Sequence, residues 1–149
     1  MIETDTYLSI EGPALGIYKD KGSKFFGYAF PIYNENDVKN TIGLLKEKHK
    51  TAGHFCYAYR LGADGDIYKV SDDGEPNNSA GMPILGQLQA RNITNTLVVI
   101  VRYFGGTKLG VGGLISAYRT AAKHSLDECK ITTLHIKEKI LVRFHQENH

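Results

Sequence analysis

Apolar and polar positions alternate with two different periods along the chain, and each change of period marks an element. Residues 15–19 and 25–33 are rich in aromatics and bracket Lys21-Gly22-Ser23, a pattern that predicts two strands joined by a turn, with Pro31 at an edge or at the end of the second. Over residues 34–50 the period lengthens: Val38, Ile42, Leu45 and His49 fall on one helical face, Asn34 or Asn36 can cap the start, and Lys46, Lys48 and Lys50 sit near the end. Residues 54–61 and 66–71 flank Gly62-Ala-Asp-Gly65 and read as a hairpin. Residues 72–81 have the composition of a loop, and Pro83 suits the first position of a short helix through Arg91 that buries Ile84, Leu85 and Leu88. Residues 96–103 form the strongest strand signal, with an uninterrupted apolar centre that predicts burial on both faces or a central place in the sheet. A glycine-rich loop, 104–113, then runs into a helix over 114–126 whose inward face is Leu114, Tyr118, Ala121, Ala122 and Ser125. Leu134 and Ile136, then Ile140, Val142 and Phe144, return to period two, so 131–144 reads as one or two terminal strands. Strands and helices in this mixed order predict an α+β sandwich with helices on one face of a sheet.

Composition narrows the class without changing that picture. The chain has 149 residues, 42% of them hydrophobic and 23% charged, which fits one compact domain rather than a disordered segment. A chain of this size buries roughly 70% of its unfolded surface, so no covalent staple is required. Cys56 and Cys129 are the two cysteines, in no ligand-like spacing, which gives no support to a disulfide framework or a zinc ribbon and suits a reducing cytoplasm. No apolar run approaches the ~18 residues of a membrane span, and the first six residues have neither the basic start nor the apolar centre of a signal peptide. A net charge of +2 is too mild to declare a nucleic-acid binder. Distribution says more: Asp64, Asp66, Asp72, Asp73 and Glu75 crowd one stretch, while residues 76–126 contain no acid and hold Arg91, Arg102, Lys108, Arg119 and Lys123.

Three constellations can carry chemistry. Gly105, Gly106, Gly110, Gly112 and Gly113, between a strand and a helix and beside Arg102 and Lys108, could bring backbone N–H donors and charge to an anion or an RNA phosphate. The segment matches neither the P-loop nor the dinucleotide fingerprint, and its glycines can instead serve left-handed turns and tight packing. Asp72, Asp73 and Glu75 could hold a metal or do acid–base work, although the spacing is not that of a calcium loop and Asp73-Gly74 with Pro76 is also good turn chemistry. A middle reading has these acids anchoring Arg102 or Lys108 across the two loops. His54 and Cys56 share one face of a strand, which permits a nucleophile pair but is more often a core pattern. Phe25, Tyr28, Tyr57, Tyr59 and Tyr103 could stack bases, yet no RNP-type motif accompanies them.

Four stretches, Gly22-Ser-Lys-Phe25, His54-x-Cys-Tyr-Ala-Tyr59, Asp72-Asp-Gly-Glu-Pro-x-x-Ser-Ala-Gly-x-Pro-Ile-Leu85 and Arg102-Tyr-Phe-Gly-Gly-Thr-Lys-Leu-Gly-Val-Gly-Gly-Leu114, resemble the motifs of the YigZ/IMPACT family in order and spacing, over roughly residues 15–126. The resemblance implies an α+β fold of the ribosomal-protein-domain-2-like type, a four-stranded sheet with two main helices on one face. It marks His54, Asp72, Asp73, Glu75 and Ser79 as motif residues. It also implies a cytoplasmic protein whose eukaryotic relatives restrain the starvation-activated kinase of translation initiation by competing for its ribosome-associated activator. Asn77-Asn78-Ser79 stands where relatives usually read Ser-Gly-Thr; Asn tolerates left-handed angles nearly as Gly does, so the turn is expected to survive.

The division expected is an IMPACT N-terminal-type domain over 1–130 and a terminal strand segment over 131–149, the start of a truncated ferredoxin-like domain. That strand is expected to fold back on the sheet or to pair with a second copy in a homodimer. The functional expectation is a non-enzymatic, translation-associated regulator that binds RNA, the ribosome or a translation-associated protein, with no cofactor, no metal and no membrane contact. The alternative is a metal-dependent hydrolase using residues 72–75.

Overall fold

The computed structural model describes residues 5–136. Ten elements follow in the order β1 (Thr6–Ile10), β2 (Ala14–Asp20), β3 (Ser23–Pro31), α1 (Glu35–Lys48), β4 (His54–Leu61), β5 (Ile67–Ser71), α2 (Gly81–Ala90), β6 (Thr96–Tyr103), α3 (Gly110–Asp127) and β7 (Ile131–His135). Five strands make one antiparallel sheet in the order β2-β3-β6-β4-β5, and β1 pairs with β7 in a separate two-stranded ladder.

The central strand β6 explains the layering. Its residues alternate between faces, as pleating requires. Val98 and Ile100 join Phe25, Ala29, Cys56 and Ala58 in a core closed by α2 and α3. Leu97, Val99 and Val101 join Tyr28, Phe55 and Tyr59 in a second core closed by Val38 and Leu45 of α1. Residues Leu97 to Val101 are all fully buried.

The expected sheet is therefore corrected in two respects. It has five strands rather than four, and its three helices lie on both faces rather than one. The physical reason is the apolar run of β6 itself: a strand buried on both sides needs a helix layer on each.

Helix α1 begins where Asn34 accepts a hydrogen bond from the Asp37 N–H at 2.8 Å, while the Asp37 carboxylate accepts from the Tyr33 N–H at 2.8 Å. Helix α3 lies close on β2 and β3 because Gly16 and Gly27 face each other in register beneath it. A Cβ at Gly16 would come within 2.5 Å of the His124 backbone, and one at Gly27 within 2.8 Å of the Ala121 carbonyl.

The ends differ from expectation in two ways. Strand β1, over residues 6–10, is an element that the sequence pattern did not mark. The terminal strand β7 pairs with β1 rather than with the five-stranded sheet, in the register Thr6↔His135 to Ile10↔Ile131. The second apolar run expected over 137–144 lies outside the described residues. No helix among the described residues is long and apolar enough to cross a membrane.

Candidate binding site at the glycine loop

Pairing register places the sequence motifs at one end of the sheet. Phe25 of β3, Arg102 of β6 and His54 of β4 form a single row across three strands. Directly paired residues share a face, so all three point toward α2 and α3. The β2–β3 turn, the 72–80 loop and the glycine loop close over this row.

Arg102 is the hub and is only 5% exposed. One of its terminal nitrogens donates to Glu75 Oε2 at 2.8 Å and the other to Ser23 Oγ at 3.2 Å. The guanidinium lies over Phe25 and Phe104, 5.5 and 5.6 Å from the ring centroids. Its Nε has no partner among the described residues. Glu75 is buried as well, and Oε2 also accepts from the Tyr118 hydroxyl at 2.5 Å. Glu75 Oε1 stands 3.6 Å from His54 Nε2. Burial, reinforced by Cys56 and Glu75, pushes the Tyr118 phenol far above its ordinary range, so it stays a neutral donor.

The acidic loop is anchored residue by residue. Asp72 Oδ1 accepts from the Ala80 and Gly81 N–H groups at 3.2 and 2.9 Å, and Oδ2 accepts from the Asn78 N–H at 2.9 Å. These bonds cap α2, which begins at Gly81, two residues before the expected Pro83. Asp73 accepts from the Phe55 N–H through Oδ2 at 2.6 Å, while its carbonyl accepts from His54 Nδ1 at 2.7 Å. The buried Ser79 hydroxyl donates to the Pro76 carbonyl at 2.6 Å. Asn78 takes a φ of 64°, the left-handed value for which Asn is suited, so the turn keeps its shape with the changed residues. Among the described residues no three His, Cys, Asp or Glu side chains converge as metal ligands.

Cys56 and His54 are not partners. The buried Cys56 thiol points to the Asp72 carbonyl at 3.1 Å and the Tyr118 hydroxyl at 3.4 Å. Burial drives its ionisation far above the ordinary thiol range, the opposite of what a nucleophile needs.

The glycine loop rests on the β2–β3 turn. A Cβ on Gly105 would come within 2.0 Å of the Gly22 backbone, so only glycine allows the two chains to touch, and the Gly105 N–H donates to Ser23 Oγ at 3.2 Å. Gly106 and Gly110 take φ of 89° and 75°. Gly112 and Gly113 lie in the first turn of α3, which starts four residues earlier than the expected Leu114 and has no side-chain cap. Lys108 is exposed and makes no ion pair among the described residues. The acids thus anchor Arg102, through Glu75, and not Lys108. Arg102 lies beneath the loop, whose exposed residues include Lys108 and Phe104, with Val111 exposed in the first turn of α3 and Lys21 exposed in the β2–β3 turn on which the loop rests.

Ser23 and Tyr118 also belong to this hydrogen-bond network, although by residue type they read only as a turn residue and a helix-core residue. Ser23 is two residues before Phe25 and so faces the same way, and Tyr118 is the one large hydroxyl on the inward stripe of α3. Those are the available signals, and both need the fold to become specific.

An antiparallel sheet with helices on both faces, a buried Arg–Glu pair and a braced glycine loop define a small α+β domain with a constructed surface at one end. The Impact N-terminal domain family matches residues 21–126. The chain belongs to this family. The IMPACT family member YvyE of Bacillus subtilis is 40% identical over 105 residues, 70% of this chain and 48% of its own length. YigZ of Escherichia coli is 32% identical over 124 residues, 82% of this chain and 61% of its own length. A crystal structure of a protein described only as hypothetical superposes with a TM-score of 0.84 at 30% identity, covering 88% of this chain and 65% of the other. The chain thus spans about half of YvyE.

Proposed function

We propose that the chain is a cytoplasmic, translation-associated regulator that acts by binding, and that its contact surface is the glycine-loop end of the sheet. Family membership supports the translational role, because the resemblance carried by the four motifs implies it. One observation supports binding over catalysis at this end. The motif carboxylates Asp72, Asp73 and Glu75 are each turned inward to a backbone N–H, to Arg102 or to Tyr118, while the exposed residues at this end include Lys21, Lys108 and the 57%-exposed Phe104. Cations beside a solvent-facing ring suit RNA phosphate and base, on the ribosome or free. A homodimer through β7, whose outer edge is unpaired among the described strands, belongs to the same proposal and is read by sedimentation.

The experiment is titration of fluorescent single- and double-stranded RNA and of purified ribosomes at two salt concentrations, beside Lys108→Glu. The expected result is salt-sensitive binding that the variant loses. Binding to ribosomes alone, abolished by a salt wash of the ribosomes, would assign the contact to a ribosome-associated protein instead. Equal binding by the variant would remove the glycine loop from the interface.

A further inference from the structure

A second surface lies on the opposite layer, between α1 and the β4–β5 hairpin. Helix α1 covers β3, β6 and β4 through Val38 and Leu45 but leaves the β5 side of that face open. The result is a groove of about 490 Å³, within the ~300–1,000 Å³ usual for small-molecule sites.

Its floor is aromatic. Tyr57 and Tyr59 stand two residues apart on β4, with rings nearly parallel at 7° and centroids 6.4 Å apart. Tyr59 is the buried member and Tyr57 the half-buried one. The Tyr59 hydroxyl donates to Glu35 at 3.2 Å, which holds its ring in place. Beside them Ser71 and Lys69 come from β5, directly paired with Tyr57 and Tyr59.

The rim is cationic. Lys39 and Lys46 line it from α1 and Lys69 from β5, all three exposed and in no ion pair among the described residues. The two carboxylates in the lining already accept hydrogen bonds, Glu35 from Tyr59 and Asp73 from the Phe55 N–H. Three ammonium groups against these two carboxylates leave the lining with a net charge of +1, beside a flat aromatic surface.

Gly43 adds an independent observation. It sits inside α1, where glycine is among the poorest helix formers, and it lines this groove. A Cβ there would meet nothing within 4 Å, so close packing does not explain the residue. What a side chain at this position would do is narrow the groove.

We propose that this groove binds a nucleoside phosphate, with the base against Tyr57 and the phosphates on Lys39, Lys46 and Lys69. Stacking on a tyrosine is tolerant of base identity, and ammonium groups on long flexible stems suit phosphate as point charges. Such a ligand is either a free nucleotide or the nucleotide of a single strand; the shared chemistry is base plus phosphate. The site is separate from the glycine-loop surface, on the other side of the sheet.

The test uses the full chain. ADP and inorganic pyrophosphate are titrated by calorimetry, and a labelled single-stranded RNA octamer by anisotropy, against wild type, Lys69→Ala, Gly43→Glu and Lys108→Glu. ADP is expected to bind the wild type, and to bind Lys69→Ala and Gly43→Glu more weakly by about tenfold or more; Lys108→Glu reports whether the octamer uses the glycine loop instead. Gly43→Glu is expected to melt no lower than wild type, since Glu favours helix over Gly. Octamer binding that Gly43→Glu weakens identifies a strand, and ADP binding that it weakens a free nucleotide; each supports the site. Pyrophosphate binding as tightly as ADP, unchanged affinity in Gly43→Glu, or no binding by either nucleotide probe overturns it. Octamer binding lost in Lys108→Glu and kept in Gly43→Glu assigns the strand to the glycine loop, and ADP binding that also ignores Gly43→Glu overturns the groove.

Discussion

Glu75 carries more of this molecule than its place in an acidic loop suggests. Its carboxylate neutralises a guanidinium that is nearly sealed from water and takes a hydroxyl from α3 as well. Removing one partner of such a pair strands the other charge, so Glu75→Gln is expected to cost about 3–5 kcal/mol in urea unfolding. Arg102→Met should cost a similar amount and the double variant less than the two together, because the residues are coupled. The glycines separate in the same way once their surroundings are known. Gly105→Ala drives a methyl into the Gly22 backbone and is expected to destabilise by about 1–3 kcal/mol. Gly112→Ala meets nothing and is expected to stabilise by up to about 1 kcal/mol, so thermal melting of the two variants should move in opposite directions. From the sequence these two glycines are indistinguishable, since the difference lies in a chain segment some eighty residues away.

At the scale of elements, His49 shows how a helix is tied to a sheet. It closes α1, and its ring bridges Tyr28 of β3, through Nε2 at 2.7 Å, and Tyr103 of β6, through Nδ1 at 2.6 Å. Phe26 packs beside the ring and the Lys48 ammonium lies over Tyr28. A neutral imidazole meets the two hydroxyls with one nitrogen donating and the other accepting, and since each hydroxyl also accepts, these contacts alone do not select the charge state. Burial, with the charge of Lys48, holds its ionisation below the ordinary value of 6.5. The unfolded chain then takes up the proton first as pH falls. The contribution of this contact is whole above pH 6.5 and is lost as pH drops through that value toward the lower folded one. Urea unfolding at about pH 7.5 and about pH 5.5 should show a stability loss on acidification that is smaller in His49→Gln. The amphipathic period of α1, a cap at Asn34 or Asn36 and His49 on its inward face were legible in the sequence, and the structure chose Asn34. That His49 would meet two tyrosines from other strands was not, because strand order cannot be read from local pattern.

For the whole molecule, the consequence of β6 serving both cores is cooperativity. Leu45 belongs to the α1 core and Leu88 to the α2–α3 core, and each is separated from the other by one strand layer. Leu45→Ala and Leu88→Ala are each expected to cost about 2–5 kcal/mol. Both should shift a single unfolding transition, coincident by circular dichroism and tyrosine fluorescence. Two separated transitions in either variant would mean that the layers unfold independently. The same two-sided sheet puts the glycine-loop surface and the tyrosine groove on opposite layers, so that both can be occupied at once.

The sequence by itself determined the α+β class, most element positions, the inward stripes of the helices and the four motifs, because these follow from local period, turn chemistry and residue type. It also offered the acids as anchors for Arg102 or Lys108 without choosing between them. Tertiary structure decided the number of strands, the placement of helices on both faces, the pairing of β7 with β1, and the choice of Glu75 rather than Asp72 or Asp73 as the partner of Arg102. Those outcomes depend on strand order and register, which bring together residues such as Ser23, Arg102 and Tyr118 from distant parts of the chain. Hydrophobic period tells each residue which way to face. Only the assembled sheet tells it what it will meet there.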